Sequence, residues 1–213
     1  MTKYLWIAVG WMIAVSAQAA DERVIALATA GDVDAALVER VRAGVEEYSG
    51  AAVRLAAPVP LEAGQPLDVV GRAAVQTMEA GDFAIIVLAR PLDDRPQGVC
   101  LPDERFGVLN VAKLEVGADA DKLARRATQE SLRVMAMLLK MAPCPFPLCV
   151  LVGYDKVDDL DRMSANFCPP CQDRFAREAR KAGLRLIEKS EPAAAPAEAP
   201  AAEAAPETSP AAE

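Results

Sequence analysis

The sequence predicts an α/β (α+β) domain in which helices flank a mixed sheet. Three observations carry that expectation. Short β-branched apolar runs, clearest over residues 83–89, are bounded by glycine or proline and read as buried strands. Segments with apolar residues at helical spacing lie between them. The two kinds of segment alternate as β-α-β-α-β-β before a long helix, the order expected of helices layered on one sheet.

Residues 23–29 form an apolar run ending near Gly31, the first strand. Asp32 or Asp34 can cap the helix that follows, in which Val33, Ala36, Leu37, Val41 and Val45 share a face and Ser49-Gly50 marks the end. Residues 52–56 alternate as a second strand, residues 58–66 form a proline-rich loop, and residues 67–80 form a second helix closed by Gly81-Asp82. Residues 83–89 are the central strand. Residues 91–105, polar and interrupted by three prolines, read as a surface loop carrying Cys100. Residues 106–114 read as another strand. Gly117-Ala-Asp119 opens the longest helix, with Asp119 and Asp121 at its positive end. Its apolar second half implies burial. Pro143, Pro145 and Pro147 stop it. Phe175 and Ala179 mark a last helix, stopped at Gly183.

The 213 residues divide into three parts. Residues 1–19 have the form of a secretory signal peptide: Lys3, an apolar stretch too short to span a bilayer comfortably, and Ala17-Gln18-Ala19 as the cleavage site. The expectation is an exported chain, periplasmic or secreted, with no membrane span after cleavage. Residues 20–189 form one domain. Residues 190–213 are mostly Ala, Pro and Glu, too poor in apolar side chains to offset ordering entropy, and read as a disordered tail. The tail carries five acids and no base, most of the net charge of −8; the body that remains is mildly acidic, and nothing in it suggests the basic patch that nucleic-acid binding favours. The chain has no histidine. That removes the Ser-His-Asp triad, the Cys-His dyad and every imidazole zinc site. The acids of residues 155–161 lack the central Gly and terminal Glu of an EF-hand loop and read as a solvated loop or helix start.

Four of the five cysteines fall in two short pairs, Cys144-x4-Cys149 and Cys168-x2-Cys171, with 18 residues between them. Pairs so spaced suit a tetrahedral four-thiolate zinc site. In an oxidising compartment they also suit two disulfides, or a redox-active Cys168–Cys171 pair. Cys100 is the odd thiol.

With the long helix and the cysteines placed, the chain resembles the archaemetzincins, small zinc metalloproteases of the metzincin group. Their pattern runs H-E-x-x-H-x-x-G-x-x-H-C-x4-C, then a Met, then C-x2-C. The adjacency of the last His and first Cys sets the register: Cys144, Cys149, Cys168 and Cys171 take the four cysteine positions. Residues 106–114 resemble the strand before the active-site helix, and Glu130 matches a Glu that often stands three residues before the first His. The resemblance implies a metzincin-like single domain whose long "active-site" helix leads into a cysteine segment holding one structural Zn2+.

In this register the three catalytic zinc ligands fall at Arg133, Met137 and Pro143, and the general-base Glu falls at Val134. The turn Gly falls at Lys140 and the Met-turn residue at Leu151. A guanidinium has no lone pair to give, a thioether is a poor zinc ligand, proline's nitrogen is in its peptide bond, and valine takes no proton. The expectation is an inactive relative with no catalytic zinc, in which Val134, Met135, Met137, Leu138 and Leu139 pack as ordinary core. It would act as a binding or scaffold module for a peptide or protein partner. The rival readings are a thiol-disulfide redox protein using Cys168 and Cys171, and a disulfide-stapled binding domain.

Overall fold

The computed structural model describes residues 22–187, except Leu92 and Asp94. The expected signal peptide at residues 1–19 and the acidic tail at residues 190–213 lie outside the described residues.

Five strands form one sheet: β1 (Val24–Gly31), β2 (Val53–Leu55), β3 (Asp82–Arg90), β4 (Gly98–Leu101) and β5 (Phe106–Asn110), in the order β2-β1-β3-β5-β4. The first four in that order are parallel, and β4 runs antiparallel to β5 at the edge. Among the described residues the α-helices are α1 (Ala35–Ser49), α2 (Leu67–Val75), the single turn α3 (Val111–Leu114), α4 (Ala120–Leu138) and α5 (Pro169–Lys181).

Alternation along the strands divides the core. Ile25 and Leu27 of β1, Ala84, Ile86 and Leu88 of β3 and Leu109 of β5 face α1, α4 and α5. Ala26, Ala28, Ile85, Val87 and Val108 face α2 on the other side. The period of two is what a sheet covered on both faces requires. Cys149, Cys168 and Cys171 belong to the α4 side.

Several expected elements change, among them α2, which stops at Val75 and not at residue 80. Residues 98–101 are not loop but β4, pairing Val99 with Val108 and Cys100 with Gly107. A four-residue strand between prolines carries too little periodicity to stand out, and its partner supplies the order. The strand expected over 106–114 stops at Asn110, and the chain turns into α3.

The helix caps follow the sequence. Asp34 Oδ1 accepts the Ala36 N–H, and Asp119 Oδ1 accepts the Lys122 N–H. Gly50, in the left-handed region, closes α1. Helix α4 ends sooner than expected, at Leu138. Met141 N–H donates to Ala136 O and Lys140 N–H to Met137 O, while Lys140 takes φ 56°. This is a Schellman motif with lysine where glycine is usual. Lys140 is the position at which the resemblance puts a turn Gly, and its backbone adopts the left-handed conformation that glycine favours.

Buried Arg126 fixes the start of α4 to what surrounds it. Its guanidinium donates to Asp161 through Nε and Nη2, to Asp158, and to the carbonyls of Leu114 and Val116. Asp159 Oδ2 accepts the Asp155 and Lys156 N–H groups. The acids of residues 155–161 therefore serve capping and ion pairing.

Candidate metal centre and cleft

Cys144 and Cys149 lie in the turn after α4; Cys168 is the N-cap of α5 and Cys171 is in its first turn. The proline run keeps α4 from continuing, and Cys149 N–H closes the turn on Phe146 O at 3.1 Å. Cys144 N–H then meets Leu151 O, and Val150 N–H meets Asn166 O, bringing the two segments side by side. All four Sγ atoms lie within 4.8 Å of one another, and none of the five cysteines is bonded to another.

A zinc ion fits this donor set. Four thiolates at about 2.3 Å in a tetrahedron stand about 3.8 Å apart. Cys144 Sγ and Cys168 Sγ are 3.8 Å apart. Backbone N–H groups point at the sulfurs, Phe146 N to Cys144 Sγ at 3.5 Å and Cys168 N to Cys149 Sγ at 3.4 Å. Such donors offset thiolate charge. Hydrogen bonding from the Cys171 N–H holds the Cys168 thiol below its ordinary pKa, while burial raises those of Cys149 and Cys171.

The positions expected to have lost catalytic groups are in different surroundings. Arg133 points into the turn after the cysteines. Its Nη1 donates to Val150 O at 2.7 Å and Val152 O at 2.6 Å, on either side of Leu151. Its Nε is 3.1 Å from Glu130 Oε1, and its guanidinium carbon stands 4.9 Å from the Tyr154 ring centre. The cation thus ties α4 to the turn around Leu151. Val134 is buried against β5: a Cβ on Gly107 would stand 2.3 Å from Val134 Cγ1, so only glycine there lets the valine seat on the sheet. Met135, Leu138 and Leu139 are buried as expected, but Met137 is not. It is 46% exposed, because α4 turns it toward solvent at the rim of a cleft. Pro143 is exposed beside the cluster.

That cleft, about 240 Å³, runs between β4 and α4 and is lined by Gln97, Val99, Cys100, Glu130, Val134, Met137 and Tyr154 among others. The position is thus not wholly filled. Burial pushes Glu130 above the usual carboxylate range, against the pull of Arg133, and it also raises Tyr154. Gln97 Nε2 donates to the Tyr154 hydroxyl. Cys100 is pushed up to about 11 by burial alone, an unreactive thiol. Gln97 and Tyr154 have no sequence signature, since strand pairing and the turn after Leu151 bring them together. The buried Arg126 had none either.

No protein-family model matches the sequence, and no curated protein matches it. Solved structures do match. An archaemetzincin from Methanopyrus kandleri aligns with TM-score 0.60 and 21% identity over 78% of this chain and 99% of its own. A zinc-dependent peptidase from Methanocorpusculum labreanum gives 0.59 and 21% over 71% and 99%. An archaemetzincin from Archaeoglobus fulgidus, complexed with malonate, gives 0.55 and 18% over 70% and 99%. This chain therefore has the archaemetzincin fold, with a four-cysteine metal-binding group following its longest helix.

Proposed function

We propose that this chain is an exported, non-catalytic protein of archaemetzincin fold. It keeps one structural zinc at Cys144, Cys149, Cys168 and Cys171 and binds a peptide or protein segment in the cleft between β4 and α4. The observation that carries the reading is Arg133. A chain without histidine has at this position a guanidinium already committed to two carbonyls, and the base position beside it is a valine seated on the sheet. Water activation requires a metal with an open position and a base. The edge strand β4 beside the cleft supports an extended segment as ligand. Among the described residues no helix is long and apolar enough to cross a membrane.

The test uses the mature chain purified without chelator. One zinc per chain, four protected thiols and no cleavage of an unfolded protein substrate are expected, with or without added zinc. Cleavage that is lost on chelation, or in Glu130→Gln, would sink the reading. The export step is checked by finding a chain that begins at Ala20 in the periplasm or medium.

One observation favours the second reading, a thiol-disulfide oxidoreductase. Cys168 sits at the N-terminus of α5, where a reactive thiolate is stabilised. Thiol exchange that disappears in Cys171→Ser, from protein free of metal, would establish it in place of the first.

A further inference from the structure

Structural four-thiolate sites are ordinarily closed. This one is covered unequally. Cys149 is fully buried, Cys168 and Cys171 are nearly so, and Cys144 is half-buried. A second cleft, of about 320 Å³, opens onto Cys144, Cys168 and Cys171, between walls that include Pro145, Phe146 and Pro170. Cys149 lies on the opposite, core-facing side of the group, among the buried residues under α4. The most accessible sulfur, Cys144, is also 3.8 Å from Cys168.

We propose that Cys144 is an oxidation site, attacked by a small neutral hydroperoxide through the proline-walled cleft, with Cys168 as the sulfur that completes a disulfide. The walls are mostly apolar, with exposed Arg174 the one charged side chain among them, so a small neutral oxidant enters without shedding a tightly held hydration shell. The Cys144 thiolate attacks the terminal peroxide oxygen and the O–O bond breaks. This gives Cys144 sulfenic acid and, for hydrogen peroxide, hydroxide. The Cys168 thiolate then attacks the Cys144 sulfur and expels a second hydroxide. Two thiolates have lost two electrons, the peroxide has gained them, and two protons convert the hydroxides to water. Two of the four ligands are thereby withdrawn from the ion, which Cys149 and Cys171 alone do not hold. The new bond joins the turn after α4 to the N-cap of α5, so the helices stay tied while the metal is given up. A dithiol reductant reverses the step.

The inference rests on the cluster holding zinc, which metal analysis of untreated protein tests by itself. Zinc-loaded full-length mature protein is exposed to hydrogen peroxide, zinc release is followed with a chromogenic chelator, and disulfides are mapped by mass spectrometry. The Cys144–Cys168 disulfide is expected first, appearing with zinc release. A thiol-alkylating reagent should label Cys144 at least about tenfold faster than Cys149, as their coverage implies. Phe146→Ala opens the cleft without touching a ligand and should speed peroxide-driven release severalfold. A first disulfide between Cys168 and Cys171, or release with Cys144 still reduced, overturns the proposal, as does zinc-loaded protein that resists peroxide. A chain that binds no zinc overturns the zinc reading and this inference together.

Discussion

Replacing Lys140 with glycine should stabilise the protein. Lys140 holds the C′ position of the Schellman motif that ends α4, at φ 56°. For a side chain with a Cβ, the left-handed region costs about 1–2 kcal/mol. Glycine is free of that strain but loses about 0.5–1 kcal/mol more backbone entropy on folding than alanine does. The ion pair from Lys140 Nζ to Asp103 Oδ1 joins two well-exposed groups and is screened by solvent. The difference leaves Lys140→Gly more stable by about 0.5–1 kcal/mol, roughly 2 °C in Tm for a domain of this size. Lys140→Ala is the matched control. It also deletes the ion pair but keeps the strain, so the glycine variant should exceed it by a similar margin. Urea unfolding followed by far-ultraviolet circular dichroism measures both, with an unchanged slope expected. A glycine variant no more stable than the alanine variant would refute the reasoning.

The remaining expectations concern the core and the cluster. Arg126→Ala should cost about 3–5 kcal/mol by removing the partner of two carbonyls and of the Asp158 and Asp161 carboxylates; equilibrium unfolding reads it directly. Arg126 lowers the folded-state pKa of Asp161, so that pair's stabilisation is present above the unfolded aspartate value of about 3.9 and is lost as pH falls below it. The pH dependence should flatten in Asp161→Asn. Gly107→Ala should destabilise by about 1–3 kcal/mol through its clash with Val134, and Val134→Ala in the same chain should recover most of that. Chelating an ion present at about a thousandfold over its Kd removes about 4 kcal/mol. At about 2–4 °C per kcal/mol, Tm should fall by roughly 10 °C.

Much of the fold was legible because it is written locally. The run at 83–89, the Asp34 and Asp119 caps and the Gly50 stop each act within a few residues. The cysteine pairs were legible for the same reason, since each supplies two sulfurs from one turn. Strand β4 was not, because a four-residue edge strand is defined by its partner β5 and not by its own pattern. The cleft was expected to be filled once its ligands were gone. Exposed Met137, together with Glu130 and Tyr154 at the walls, keeps it open, and only the direction in which α4 presents each side chain settles that.

Composition and spacing alone established that the chain has no imidazole, that four thiols stand in two short pairs, and that a long helix leads into them. These are properties of residue type and short separation. Tertiary structure decided that the four sulfurs converge, that Cys144 is their open side, and that the Arg133 cation braces the turn around Leu151. Those outcomes depend on segments far apart in the chain, whose meeting is set by the packing of α4 and α5 on one face of the sheet.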